Sequence, residues 1–183
     1  YQQRYMEMMD VQLHRMKSLV EDLLTLAKIE GNPEPPSKNM VVASQILARL
    51  QLDANGLSQG KHHITVECQS EKNVTGDEAD LYSAYSNLVF NAVRYTPAGG
   101  VISIIWEDAP DGGVQLTVKD TGPGISEEHI PRLTERFYRV DRGRSRDSGG
   151  TGLGLAIVKH SLSRHQAQLD IKSTPGQGSR FAA

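Results

Sequence analysis

From Tyr1 to about Glu30 neither Pro nor Gly interrupts the chain. Met6, Met9, Leu13, Met16, Val20, Leu23 and Ala27 recur at alternating spacings of three and four, which predicts one long helix carrying the apolar seam of a coiled coil or helical hairpin. Leu19, Leu24 and Leu26 widen that stripe beyond a two-helix seam, so a partner helix is expected, as in a four-helix bundle. Packing on the helix's own domain is the alternative. Gly31-Asn-Pro-Glu-Pro-Pro36 ends the pattern and predicts a linker over 31–37, between a helical element at 1–30 and a domain at 38–183.

Beyond the linker the period changes repeatedly. Met40-Val-Val reads as a short strand, Ala43 to Leu57 as a helix, and His63 to Cys68 as a strand. Glu78 to Tyr95 reads as a helix with Asp77 as N-cap, stopped by Pro97 and Gly99-Gly100. Val101 to Glu107 and Val114 to Asp120 read as two strands joined by the turn-rich Asp108-Ala-Pro-Asp-Gly-Gly113. Val114, Leu116 and Val118 alternate with polar neighbours, which places one face on a core. Thr151 to His165 is an amphipathic helix, and Leu169 to Ser173 and Ser179 onward are closing strands around Thr174-Pro-Gly-Gln-Gly178. Strands and helices without regular βαβ alternation predict an α+β two-layer sandwich.

Composition narrows the function classes. Hydrophobic residues make up 38% of 183 and aromatics only 5%, so the core is mainly aliphatic. A formal charge of −2 supplies no field to attract nucleic acid or an anionic membrane. Cys68 is the only cysteine, which excludes an intrachain disulfide and suits a reducing compartment; it reads as an ordinary strand residue. No apolar run reaches the ~18 residues of a membrane span, and no signal peptide opens the chain. The first residue is Tyr and lies inside a helical pattern, so the chain reads as a fragment that can derive from a membrane protein with its spans upstream.

Three motifs carry chemistry. In Asn87-Leu-Val-Phe-Asn91 the i, i+4 spacing puts two amides on one helical face, where their oxygens can take part in Mg²⁺ coordination shared with phosphates. Arg94 adds a phosphate-pairing cation and Tyr95 an aromatic surface. A polar helix face without a ligand is the plain alternative. Asp120 ends a strand and opens Asp120-Thr-Gly-Pro-Gly124, where a carboxylate can accept from an exocyclic adenine amine and Gly122 and Gly124 let backbone approach the ring. An ordinary Asp-initiated β-turn looks the same. Gly149-Gly-Thr-Gly-Leu-Gly-Leu155 runs straight into a helix, whose unpaired N–H groups suit phosphate. It has no Walker-type Gly-Lys-Ser/Thr ending. Between the last two motifs, Arg136, Arg139, Arg142, Arg144 and Arg146 crowd a glycine-containing segment that reads as a lid over phosphates. A solvated basic loop is the alternative. Phe137 and Tyr138 are expected to anchor it.

The ordered set resembles the ATP-binding half of bacterial sensor histidine kinases, in the GHKL superfamily with gyrase, HSP90 and MutL ATPases. Asn87 to Thr96 resembles its N box, Asp120 to Gly124 its G1 box, Arg136 to Tyr138 its F box, Gly150 to Gly154 its G2 box, and Gly176-Gln-Gly-Ser-Arg-Phe181 its last glycine turn and strand. Within that family, Ile130–Asp141 and Leu23–Glu30 resemble the phosphate-regulon sensor kinases. The resemblance implies a two-layer sandwich with a mixed sheet and three main helices, preceded by one helix of a dimerisation hairpin. It implies ATP and Mg²⁺ as cofactors. Asn91 would hold the metal, Asn87 would sit beside the phosphates, and Asp120 would bind the adenine amine, aided by Ser179 through water. Arg94, Tyr95 and Arg139 would line the phosphate and ribose side, with Arg139 beside the transferred group. Gly150, Thr151, Gly152, Leu153 and Gly154 would offer backbone donors, and Ile125 and Leu133 would wall the pocket.

The family's phosphoacceptor, a His followed by an acidic residue and then by Pro, is missing from the sequence; His14 is followed by Arg15. The reaction implied is transfer of the ATP γ-phosphoryl group to a histidine outside this chain, then to an aspartate of a PhoB-like response regulator. Homodimerisation through the helical hairpin and a cytosolic place below an inner membrane are implied too. No contact with nucleic acid or, by this part, with membrane is expected. A gyrase- or HSP90-like ATPase and a non-catalytic nucleotide-sensing docking module are the rival readings. Such ATPases use an acidic residue where Asn87 stands, and an amide cannot serve as a carboxylate base.

Overall fold

The structure, a computed structural model, describes residues 2–140 and 149–183. Its elements run α1 (Gln2–Gly31), β1 (Asn39–Val41), α2 (Ala43–Ser58), β2 (His63–Cys68), β3 (Val74–Gly76), α3 (Glu78–Tyr95), β4 (Val101–Asp108), β5 (Val114–Asp120), a 3-10 helix (Glu127–Arg132), α4 (Gly154–Arg164), β6 (Asp170–Thr174) and β7 (Gly178–Ala182). Five strands form one mixed sheet in the order β2-β4-β5-β7-β6, with β2 parallel to β4 and the other neighbours antiparallel. β1 and β3 form a separate antiparallel ribbon. This is the α+β sandwich that the pattern predicts.

One face of the sheet carries Ile102, Ile104, Trp106, Leu116, Val118 and Phe181, alternate residues that are all buried. They share a core with α2, α3 and α4 through residues such as Leu50, Leu88, Val89, Val158 and Leu162. Trp106 is fully buried, meets Tyr85 edge-on at 6.1 Å and donates its indole N–H to the Lys72 carbonyl at 2.9 Å. The opposite face is closed by polar groups: the Thr117 hydroxyl donates to Glu107 at 2.6 Å, and Arg180 pairs with Asp170 at 3.1 Å.

Three local departures have physical reasons. α4 starts at Gly154 rather than at Thr151, because Gly152 holds a φ of +79° that no helix continues through and Thr151 Oγ1 accepts the Leu153 N–H. β3 is too short to show alternation, and the 3-10 helix, with Pro131 inside it, has no helical period. The seam of α1 stays exposed at Met6, Met9, Leu13, Met16, Val20 and Leu23. A neighbouring stripe packs on the helix's own domain instead: Leu26 and Ile29 bury against Leu153, Ala156 and Ile157, with Leu19 beside them. The segment after α1 is tied to the domain as well, since Arg164 donates to the Asn32 carbonyl at 2.8 Å and to Asp80 at 3.1 Å.

Candidate nucleotide site

α3 carries the first set of candidate groups. Asp77 caps it by accepting the Asp80 N–H at 3.0 Å, and Leu81, Leu88 and Val89 anchor it in the core. Asn87 and Asn91 therefore emerge together on the side that meets α4. The Asn87 amide N–H donates to the Ser83 carbonyl at 2.7 Å, which orients its oxygen away from the helix. A Cβ on Gly154 would lie 2.8 Å from Asn87 Oδ1 and 3.8 Å from Asn91 Oδ1. Only glycine leaves that space open, and two amide oxygens border it. One turn on, Tyr95 reaches both glycine motifs: its carbonyl lies 3.3 Å from the Cβ position of Gly122 and its hydroxyl 3.1 Å from that of Gly150. Arg139 Nη2 lies 3.6 Å from the same Gly150 position.

Asp120 sits at the end of β5, in register with Ser179 of β7. Burial raises its carboxyl pKa above the ordinary carboxylate range, against the lowering effect of the Gly122 and Ser179 N–H groups. The Gly122 N–H bond is 2.9 Å. Two glycines permit the close approach of the loops. A Cβ on Gly178 would lie 2.0 Å from the Asp120 carbonyl, and one on Gly124 would lie 2.1 Å from that of Thr174; both residues have positive φ. The Ser179 hydroxyl bonds to Ser173 Oγ at 2.7 Å, and Ser173 Oγ accepts the Ile125 N–H at 2.7 Å. Ile125 packs against the main core and Leu133 is buried. An open groove of about 510 Å³ runs along β6 and β7 and reaches the site only through Asp120 and Ser179.

The glycine turn before α4 is held from two sides. The Phe137 N–H donates to the Gly152 carbonyl at 2.9 Å, and a Cβ on Gly152 would lie 2.9 Å from Phe137 Cα. Phe137 itself has a φ of +61° and an exposed ring, so its backbone rather than its side chain does the anchoring expected of it. Tyr138 is the side-chain anchor, bonded to His129 at 2.6 Å with Arg132 4.3 Å above its ring. From α1, Glu30 pairs with Arg136 and, at 3.0 Å, with His160. Asp22 accepts the Thr151 hydroxyl at 2.5 Å. Arg142, Arg144, Arg146 and the rest of the lid segment over 141–148 lie outside the described residues.

Candidates separated by up to 92 positions in sequence thus meet in one region, since Asn87, Asn91, Tyr95 and Arg139 border the Gly150–Gly154 turn while Asp120 and Ser179 lie beyond Gly122. Among the described residues no group of three or more His, Cys, Asp or Glu could hold a metal alone. Amide oxygens beside an open glycine fit a hard cation that takes its other ligands from phosphates and water. Sequence reasoning missed Asp22, Glu30 and Thr96. Thr96 is buried at the end of α3, its hydroxyl has no partner among the described residues, and it lies 3.5 Å from the Cβ position of Gly122. It ends the segment that resembles the N box, and only its burial and its place against Gly122 single it out there.

The profile of the family described as histidine kinase-, DNA gyrase B- and HSP90-like ATPase matches residues 76–183. The phosphate regulon sensor protein PhoR of Pseudomonas aeruginosa is 50% identical over 179 residues, covering 97% of this chain and 40% of that protein. Its namesake from Haemophilus influenzae is 40% identical over 181 residues, with 99% and 42% covered. Among solved structures, full-length ShkA in complex with AMPPNP superposes with a TM-score of 0.82 at 26% identity, over 99% of this chain and 38% of that one. The mycobacterial sensor histidine kinase MprB gives a TM-score of 0.69 at 25% identity, over 79% and 94%. This chain spans about two fifths of the length of the PhoR proteins it matches. No helix among the described residues is long and apolar enough to cross a membrane.

Proposed function

Since the chain belongs to the histidine kinase-, DNA gyrase B- and HSP90-like ATPase family, we propose that it is the ATP-binding catalytic part of a two-component sensor kinase acting in phosphate-starvation signalling. It transfers the ATP γ-phosphoryl group to a histidine supplied by another helix. The phosphoryl group then passes to an aspartate of a PhoB-like response regulator. The observation that carries this reading is the pair of amide oxygens facing Gly154, at the N-terminus of α4. Helix N-terminal donors, amide ligands and a nearby arginine form a cradle for a metal-bound polyphosphate, and the amides of Asn87 and Asn91 cannot act as a general base for water.

Each residue then has a task. Asp120 accepts the adenine amine, with Ser179 beside it, and Ile125 and Leu133 form apolar walls. Asn91 holds Mg²⁺, and Asn87 flanks the phosphates. Bound Mg²⁺ would neutralise phosphate charge and hold the γ-phosphoryl group in line. Arg94 and Tyr95 line the phosphate and ribose side. Arg139 stabilises charge at the transferred group, and residues 150–154 donate backbone N–H bonds. Homodimerisation through α1 and a preceding helix, at the cytosolic side of an inner-membrane sensor, completes the proposal.

Calorimetric titration with a non-hydrolysable ATP analogue, with and without Mg²⁺, tests the site. Metal-dependent binding that prefers adenine over guanine, and loses its metal dependence in Asn91→Ala, is the expected result. Metal-independent binding equal for both bases would overturn the assignment. Rapid turnover of ATP without an acceptor would instead favour the hydrolytic ATPases of the family.

A further inference from the structure

An acidic side chain of α1 reaches into the glycine turn of the site. Asp22, two turns before the end of α1, accepts the Thr151 hydroxyl at 2.5 Å, inside the glycine turn that opens α4. Burial raises its carboxyl pKa, while Thr151 and the nearby Arg94 guanidinium pull it down. Thr151 and Arg94 are two of the groups assigned above to phosphate. The place is electrostatically prepared for an anion: a helix N-terminus follows at Gly154, and the Arg94 charge favours the ionised Asp22 carboxylate. A carboxylate of the protein's own is the anion found there.

Its position is not that of a loose surface acid. Leu26 and Ile29, four and seven residues on, are 2% and 5% exposed and clamp α1 onto α4. Glu30 adds pairs with Arg136 and His160. The stripe Asp22, Leu26, Ile29 therefore docks as one face, with its charge at the glycine turn and its apolar residues on α4.

We propose that Asp22 is a specificity-determining residue of the nucleotide site, its carboxylate standing where a terminal phosphate would go, so that a nucleoside triphosphate must displace it and shorter nucleotides need not. The inference rests on the nucleotide-site reading above and adds discrimination by phosphate number. Like charges in one partly buried place repel, so a triphosphate loosens the grip of α1 on α4 and α1 in turn weakens triphosphate binding by the same factor.

The test is the ratio of affinities for AMPPNP and ADP, measured by titration of this chain, of Asp22→Asn and of Ile29→Ser, with circular dichroism melts to show that each variant folds. Asp22→Asn keeps shape and removes charge, and is expected to raise the AMPPNP-to-ADP affinity ratio by roughly fivefold or more. Ile29→Ser leaves the carboxylate but loosens the helix, and should move the ratio in the same direction. An unchanged or lowered ratio in Asp22→Asn overturns the proposal, as does a rise seen in Ile29→Ser alone, which would make the effect one of helix bulk. Binding of neither nucleotide by the unmodified chain would overturn the site reading itself; binding with an unmoved ratio overturns the Asp22 assignment and leaves that reading standing.

Discussion

At the scale of single residues, stability and binding pull Asp120 in opposite directions. Burial raises its folded pKa, so whatever it contributes to stability is present in full below its unfolded pKa and is lost as pH rises through the folded value. At neutral pH the ionised carboxylate is therefore a stability cost, which the proposed adenine contact would explain. Asp120→Asn should raise the melting temperature at neutral pH while weakening ADP by roughly 10- to 100-fold, the scale of a hydrogen bond to a charged group. Thermal melts and titrations of the same preparation check both, and a variant that melts lower would contradict the burial argument. The raised pKa also predicts that adenine affinity begins to fall on acidification at a higher pH than an ordinary aspartate would give, which a pH series of ADP titrations reads. Gly154→Ala is a different kind of change. Its Cβ would press on Asn87 Oδ1 at 2.8 Å, the end of a side chain that can swing away, so the fold survives and the amide geometry does not. Loss of the Mg²⁺ effect on nucleotide binding, with a melting temperature within a few degrees of the unmodified chain, is expected.

The sheet and helices form at the scale where period decides. β2, α3 and β5 have the bounds that pattern and capping predict, because His63–Cys68, Asp77–Tyr95 and Val114–Asp120 each carry an unambiguous period or cap. Where the backbone leaves its period, sequence is silent: β3 gains its identity only by pairing with β1, and Gly152 postpones α4 through a contact with Phe137 that lies 15 residues away in sequence. Trp106 shows what the matched elements achieve together. On β4 it is fully buried against Tyr85 and bonded to the Lys72 carbonyl, so Trp106→Ala should destabilise the domain by about 3–5 kcal/mol, measured by denaturant unfolding. A loss under 1 kcal/mol would mean that the α3–sheet interface is far looser than its geometry.

For the whole molecule, α1 has two faces with different fates. Its Asp22–Leu26–Ile29 stripe closes on α4, whereas Met6, Met9, Leu13, Met16 and Val20 form an exposed apolar seam. That seam predicts concentration-dependent self-association in sedimentation velocity, weakened by Met9→Glu with Leu13→Glu; a monomer at every concentration would contradict it. The placement of the candidate residues was legible in sequence where spacing is local: the asparagines share a helical face, and the glycine turns declare themselves by composition. It was not legible where a distant element supplies a group. Asp22 has the sequence context of any acid on an amphipathic helix, and only the docking of α1 brings it 129 positions along the chain to Thr151. Thr96 owes its place to the packing around Gly122 in the same way. The proposed function is transfer of a phosphoryl group from bound ATP to a histidine. The most direct measurement supplies γ-labelled ATP and Mg²⁺ together with a separate helical hairpin bearing a His followed by an acidic residue and Pro. Acid-labile, base-stable label on that histidine, lost in Asn91→Ala, is the predicted result; nucleotide binding with label released only as inorganic phosphate would contradict the account.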